Sequence, residues 1–214
     1  MNQTPFVITI GRQSGSGGRE IGRLLAERFD IACYDKEILS MAAQESGLGP
    51  DVFERKEGRK GFFSSFIGVV QPFIGGGGDF YNNQLSEENL FVLQSRVIQK
   101  VASERSCIFM GRVADYILRH HPRHLDVFVA ADLDDRAARI MERKKVDRKT
   151  AKSILEECDE RRSDYYNFYS SGIWGAADSY DLCINSSVLG IERTADYIAQ
   201  FAIEKLGIEP VELR

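Results

Sequence analysis

The stretch Phe6-Val-Ile-Thr-Ile-Gly-Arg-Gln-Ser-Gly-Ser-Gly-Gly-Arg-Glu-Ile-Gly22 predicts a strand, a glycine-rich turn and a helix in direct succession. The apolar run from Phe6 to Ile10 is typical of a buried strand, and Ile21, Leu24 and Leu25 begin a helical apolar stripe. The glycines between them allow positive φ angles and leave room for an anion, on which successive backbone N–H groups converge. Because the helix N-terminus adds its dipole, the stretch predicts a phosphate-binding loop.

The loop departs from the strict P-loop pattern, which is G-x-x-x-x-G-K-[ST]. After the core Ser14-Gly15-Ser16-Gly17, the strict pattern has a lysine, whereas this chain continues with Gly18, Arg19 and Glu20. The loop taken alone therefore leaves an alternative open, namely a glycine-rich turn between strand and helix that holds no ligand.

Length and charge restrict the class of protein. The chain has 214 residues, enough for one sizeable core, and its formal net charge of −4 gives no reason to expect nucleic acid or a membrane surface as a partner. The longest apolar stretch, Phe62 to Ile74, is interrupted by polar residues and is shorter than the about 20 residues that span a bilayer. We expect a small anionic ligand and no membrane segment.

The four cysteines are Cys33, Cys107, Cys158 and Cys183, and none forms a C-x-x-C pair. This usage predicts reduced, mostly buried thiols and argues against a zinc site. The N-terminus has neither the basic nor the apolar region of a signal peptide. The expected location is the cytoplasm.

Strand and helix patterns alternate along the chain. After the first strand and a helix at Gly18 to Phe29, the remaining strands are expected at Ile31–Tyr34, Cys107–Met110, Leu125–Ala131 and Tyr180–Asn185. The other helices are expected at Lys36–Glu45, from Ser86 to about Arg105, at Val113–Arg119, after Asp132, and at Ile191–Lys205. This alternation predicts a single α/β domain over residues 1–214, with a doubly wound, five-stranded parallel sheet.

Polar residues follow several of these strands where they end. Asp35 follows the second strand, and Gly111-Arg112 follows the third. Because open α/β sheets bind ligands beyond the carboxyl ends of their strands, these residues and the glycine loop are expected to share one site. Asp35 also suits the N-cap of the helix that begins at Lys36, and the two roles are compatible.

Residues 47–85 have the composition of neither a clean helix nor a clean strand. Glycines, including Gly75 to Gly78, alternate with phenylalanines such as Phe62, Phe63 and Phe66. We interpret this region as an insertion that covers the substrate side or packs against a second subunit, which would make a homodimer. A disordered apolar loop is the alternative.

A basic run follows the fourth strand, on the helix expected after Asp132 and on its successor. Its cations are Arg136, Arg139, Arg143, Lys144, Lys145, Arg148, Lys149 and Lys152, with Arg161 and Arg162 further along. For most of them a solvated helix face is the simpler interpretation. The arginines are the exception, because a planar guanidinium suits phosphate oxygens and could bind them.

The chain resembles the cytidylate kinase-like family, relatives of bacterial cytidylate kinase within the P-loop nucleoside monophosphate kinases. The resemblance rests on four motifs that keep the family's order over nearly the whole chain: Ile8–Gly22, Tyr34-Asp-Lys-Glu-Ile-Leu39, Gly111-Arg-Val-Ala-Asp-Tyr116 and Tyr180-Asp-Leu-Cys-Ile-Asn185. It implies a P-loop kinase fold with a helical, lid-like region that bears arginines, over residues 143–170. It also implies transfer of the ATP γ-phosphoryl group to CMP or dCMP, with Mg²⁺.

The resemblance also implies a role for individual residues. The donor phosphates would be held by Gln13, Ser14, Gly15, Ser16, Gly17, Gly18, Arg19 and Glu20. The catalytic cations would be Arg19, Arg161 and Arg162, and the acceptor would be bound by Asp35, Arg112, Asp115 and Asp164. Because the family's lysine falls on Gly18 and its metal-holding hydroxyl falls on Glu20, Arg19 would replace the lysine charge and Glu20 would hold Mg²⁺. Asn167 stands where the lid of the family has a further arginine.

These departures leave two alternatives to a CMP kinase. One is a kinase of a different small-molecule acceptor. The other is a non-catalytic module that binds a nucleotide or phosphate through a degenerate P-loop.

Overall fold

A computed structural model describes residues 4–35, 38, 41 and 87–208 of the chain. Residues Met1–Asp35 and Ala102–Arg214 form one compact unit, and Lys36–Val101 form a second. Three predictions lie outside the described residues: the insertion at 47–85, the helix from Lys36 with its capping by Asp35, and the N-cap at Ser86. The glycine loop and the described strands all belong to the first unit.

Five parallel strands form a single sheet, as predicted. They are β1 (Val7–Arg12), β2 (Ala32–Tyr34), β3 (Cys107–Met110), β4 (His124–Ala130) and β5 (Leu182–Asn185), in the order β2-β3-β1-β4-β5. The strand β1 lies at the centre, where Val7 is in register with Cys107 on one side and His124 on the other. It continues to Arg12, two residues further than the apolar run indicated, because the backbone of Gly11 and Arg12 stays paired with β4.

Helices connect the strands. They are α1 (Gly18–Phe29), α2 (Glu87–Glu104), α3 (Ala114–Ile117), α4 (Leu133–Lys144), α5 (Arg148–Tyr169) and α6 (Ser186–Leu206), with a short 3₁₀ turn at Ala177–Ser179. Asp147 caps α5 by accepting a hydrogen bond from the Thr150 N–H at 2.7 Å. The helix α6 begins five residues before the predicted start because Asn185 caps it and a kink at Gly190, with φ 76°, divides it.

The core on one face of the sheet joins β1 to α1 and α6. Ile8 and Ile10 point to this face and are fully buried together with Ile21 and Leu25 of α1 and Ile198 of α6. The apolar stripe of each helix, which repeats every 3.6 residues, packs on the strand residues that alternate to this face. The opposite face carries Thr9, which donates to Asp126 Oδ1 at 2.7 Å, and Gly11, where an added Cβ would lie 2.9 Å from the Phe128 ring.

The cysteines are free thiols, but burial was predicted for more of them than the structure buries. Cys107 on β3 is buried, Cys33 and Cys158 are half-buried, and Cys183 is exposed. The prediction is wrong for Cys183 because β5 is an edge strand of the sheet. No helix among the described residues combines the length and the apolar character needed to cross a bilayer.

Candidate functional site

The glycine loop connects Arg12, the last residue of β1, to the first turn of α1. Gly15 and Gly17 have φ of 76° and 79°, a left-handed backbone that glycine adopts without strain. An added Cβ would lie 2.9 Å from the Arg136 carbonyl oxygen at Gly15 and 2.8 Å from the Ile191 Cδ1 atom at Gly17. The loop therefore needs glycine for its backbone angles and also for its packing.

Neighbouring elements hold the loop in this conformation. The Gln13 side-chain oxygen accepts from the Ala131 N–H at 3.1 Å, and the Ser186 hydroxyl donates to the Ser16 carbonyl at 2.7 Å. From α4, Arg139 Nη1 donates to the Gly15 carbonyl at 2.9 Å. These bonds fix the carbonyls of Gly15 and Ser16 and the Gln13 side chain, so contacts with neighbouring elements set the shape of the loop.

A carboxylate of α5 accepts a hydrogen bond from an amide of the loop. The Ser14 N–H donates to Asp159 Oδ1 at 2.6 Å, and Arg136 pairs with the same carboxylate while its Nε donates to the Ser14 carbonyl at 2.7 Å. Burial raises the pKa of Asp159, although the Ser14 amide and Arg136 oppose the shift. The Ser14 amide therefore already donates to an anionic oxygen, that of Asp159.

Arginines converge on Asp35 at the carboxyl end of β2. Arg12 Nη2 donates to Asp35 Oδ1 at 3.3 Å, and Arg19 Nη2 pairs with Asp35 Oδ2 at 2.6 Å. Arg162 of α5 donates to the Arg12 carbonyl at 3.1 Å and lies 3.6 Å from Asp159. Three residues that the resemblance implied, Arg19, Asp35 and Arg162, therefore meet around one that it did not, Arg12.

The electrostatics of this cluster favour an anion. Burial first, and then the charge of Arg162, lower the pKa of Arg12 to about 9, and Arg112 and Arg19 act in the same direction. Burial also lowers the pKa of Arg162. Within the described residues, Arg12 and Arg19 share Asp35, while Arg136 and Arg162 share Asp159. Two carboxylates facing four guanidinium groups leave positive charge for a polyanionic ligand to neutralise.

The remaining predicted residues have different surroundings. Arg161 pairs with Glu157 at 2.9 Å, one turn back on α5, and Asp164 is exposed on the same helix. Glu20 is exposed in the first turn of α1. Arg112 follows β3 with a left-handed φ of 63° and lies near enough to Arg12 to lower its pKa.

Asp115 is buried beneath α5. Its carboxylate accepts from the Tyr166 hydroxyl at 2.6 Å and lines a cavity of about 360 Å³, whose other walls include Tyr116, Arg119 and Asp126. No residue of the glycine loop lines this cavity. Asp115 therefore belongs to a cavity that the glycine loop does not line, whereas Asp35, which was also predicted to bind the acceptor, pairs with Arg19 of α1.

Four contact residues of the loop were absent from the sequence-based site: Arg12, Arg136, Arg139 and Asp159. Arg136 belonged to a run interpreted mostly as a solvated face, yet only 7% of it is exposed. Its three-residue spacing from Arg139, on the helix after a strand, places both on one face and was the available signal. Asp159 had no such signal, because its role depends on how α5 folds back onto the loop.

A separate group of possible metal ligands lies elsewhere on the sheet. His124, Asp126 and Asp181 are the described side chains of this type that come close enough to share an ion. Asp181 also pairs with Lys205, so this carboxylate already has a cationic partner within the chain. Glu20, the predicted metal ligand, belongs to a different part of the molecule, at the glycine loop.

Asp115 makes the stability of the protein depend on pH. Burial raises the pKa of Asp115 to about 6, so the folded chain keeps a proton that the unfolded chain loses above about pH 4. Stability is therefore lost as pH rises through this window. We expect Asp115→Asn to gain about 3 kcal/mol over the wild type between pH 4 and pH 7 in urea unfolding. The exposed Glu142→Gln should follow the wild type, and parallel curves for Asp115→Asn would contradict the assignment.

Comparison with known proteins identifies the family. The model of the cytidylate kinase-like family matches residues 7–188, which is most of the chain. A cytidylate kinase from Methanopyrus kandleri is 26% identical over 206 residues, covering 96% of this chain and 94% of that protein.

Solved structures agree on the fold. The crystal structure of an uncharacterized protein from Eubacterium ventriosum has a TM-score of 0.70 at 28% identity, covering 92% of this chain and 98% of that one. A shikimate kinase from Bacteroides thetaiotaomicron has a TM-score of 0.51 at 12% identity, covering 95% and 99%. The five-stranded parallel sheet of the chain is thus of the P-loop kinase type.

Proposed function

The chain belongs to the cytidylate kinase-like family, and we propose that it is a nucleotide kinase that transfers the ATP γ-phosphoryl group to CMP or dCMP. The observation that carries this proposal is the convergence of the glycine loop with Arg12, Arg19 and Arg162 at the carboxyl edge of the sheet. Phosphoryl transfer requires positioning and charge stabilisation more than covalent chemistry, and this site supplies both.

The proposed step is an in-line displacement. An oxygen of the acceptor phosphate attacks the γ-phosphorus, the bond to the β–γ bridging oxygen breaks, and ADP leaves with that electron pair. The acceptor is already an anion, so no general base is needed. The loop amides and the arginines stabilise the charge that develops on the transferring oxygens, and α5 excludes water from above.

The donor phosphates fit the residues present. In support, the Ser14 amide donates a hydrogen bond to the Asp159 carboxylate, and the proposed binding segment runs from Gln13 to Glu20. When bound, Mg²⁺ would screen the charge of the phosphate oxygens. Its proposed ligand is Glu20, since this exposed carboxylate at the start of α1 offers the oxygen donors that Mg²⁺ prefers.

The acceptor is proposed to lie against Arg112 and Asp35, beyond the ends of β3 and β2. Asp115, Arg161 and Asp164 remain predicted contributors. Asp115 lies in its own cavity, so a contact with the acceptor would need that cavity to communicate with the loop. A kinase of another small-molecule acceptor is the second candidate, favoured by the composition of residues 47–85, which is unlike a compact monophosphate-binding segment.

ATP consumption by the purified protein with Mg²⁺ tests the proposal. We expect CMP or dCMP to stimulate ADP formation at least tenfold, and UMP and AMP to stimulate it less. Stabilisation by ATP without stimulation by any monophosphate would favour a different acceptor or a non-catalytic binding module. Screening small-molecule acceptors with γ-labelled ATP separates those two. A melting temperature that ATP leaves unchanged would contradict the proposed function itself.

A further inference from the structure

Two positions of the loop exchange residues relative to the strict P-loop pattern. With Gly17 as the second glycine of G-x-x-x-x-G-K, the first glycine falls on position 12 and the lysine on position 18. This chain has Arg12 and Gly18 there. A cation stands where the pattern has glycine, and glycine stands where the pattern has a cation.

The packing of the two residues explains why they exchange together. An added Cβ at Gly18 would lie 2.7 Å from the Arg12 Cβ and 3.0 Å from its Cγ. The stem of Arg12 therefore occupies the space into which a side chain at position 18 would grow. A lysine at position 18 and an arginine at position 12 exclude each other, because neither contact involves a flexible chain end.

Gly111 and Asp35 hold the guanidinium of Arg12 in position. Gly111, with a left-handed φ of 68°, leaves room for it, since an added Cβ there would collide with Arg12 Nη1. Asp35 holds the other terminal nitrogen at 3.3 Å. The head group is thus aimed at the ends of β2 and β3, beside the loop and on the side where the acceptor is proposed to bind.

We infer that Arg12 supplies the cation that the strict pattern places on residue 18, and that its guanidinium contacts the phosphate oxygens of a bound nucleoside triphosphate. This inference rests on the proposed function and gives Arg12 the role that the resemblance implied for Arg19. The Arg19 side chain is 66% exposed, whereas the Arg12 side chain is 14% exposed and lies against Asp35 and Gly111. A buried, oriented cation acts more strongly on developing charge than a solvated one.

A set of loop variants tests the inference. We expect Arg12→Gln to lower kcat about 100-fold, and Arg19→Ala about tenfold. Gly18→Lys alone should also lose activity because of the collision with Arg12. The double variant Arg12→Gly with Gly18→Lys restores the strict pattern, so it should recover at least tenfold over Arg12→Gly. Arg23→Gln, an exposed arginine on α1, is the matched control and should keep wild-type kcat.

Melting temperatures with and without ATP separate the possible failures. If wild type is stabilised by ATP but Arg12→Gln keeps its kcat and its ATP-induced shift, the inference is overturned and the proposed function stands. If the double variant folds like wild type but is no more active than Arg12→Gly, Arg12 has a structural role and the inference is overturned. If ATP leaves even the wild type unchanged, the proposed function fails, and the inference fails with it.

Discussion

Arg162→Ala is expected to lower kcat of ATP-dependent phosphoryl transfer about 1000-fold, the low end of what a transition-state arginine contributes. Arg162 reaches from α5 to the Arg12 carbonyl at 3.1 Å and lies 3.6 Å from Asp159, so it joins the lid to the loop. If Arg162 acts as proposed, removing it takes a cation from the transferring oxygens and loosens the closure that keeps water out. The measurement is kcat with whichever monophosphate gives the highest turnover of the wild type.

Two further variants make this result specific. Arg143→Ala removes an exposed arginine at the end of α4 and should leave kcat within about twofold, because solvent screens that charge. Arg161→Ala should cost less than tenfold, since its guanidinium pairs with Glu157 and is 43% exposed. If Arg161→Ala were the more damaging variant, the lid register would be shifted by one residue from the one described.

Gly15→Val is expected to weaken ATP binding about 1000-fold. The backbone has a φ of 76° there, and an added Cβ would lie 2.9 Å from the Arg136 carbonyl oxygen. A valine must either push α4 outward or turn the loop, and both break bonds that hold the loop, including Arg139 to the Gly15 carbonyl. Losing two charge-assisted hydrogen bonds to phosphate, at about 2 kcal/mol each, gives this magnitude. Isothermal titration with ATP and Mg²⁺ measures it.

Gly190→Val is the matched control for backbone strain. Gly190 has the same φ of 76°, but an added Cβ there would meet nothing within 4 Å. Both valines carry the strain of a left-handed β-branched residue, so both should lower the melting temperature. Only Gly15→Val should lose ATP. Equal loss of ATP binding in the two variants would mean that general destabilisation, and not the shape of the loop, controls the affinity.

The resemblance to the cytidylate kinase-like family named several residues that the structure brings together. Arg19, Asp35 and Arg162 meet at the loop, which the order of strands and the motif positions made predictable. The exposed positions of Arg161 and Asp164 were not predictable, because one residue along a helix turns a side chain by about 100°. Cys183 shows the same limit for the core, since the sequence does not state which strand lies at an edge.

The sequence by itself determined the parallel α/β sheet, the glycine loop between β1 and α1, and the family of the protein. These depend on local periodicity, on glycines at fixed offsets and on the order of motifs, all of which are written in neighbouring residues. Only the tertiary structure decided which charges act together. Asp159 and Arg136 reach the Ser14 segment from positions more than 100 residues away, and the stem of Arg12 closes the space beside Gly18. Such contacts depend on how α4 and α5 return to the loop, and no local pattern encodes that distance.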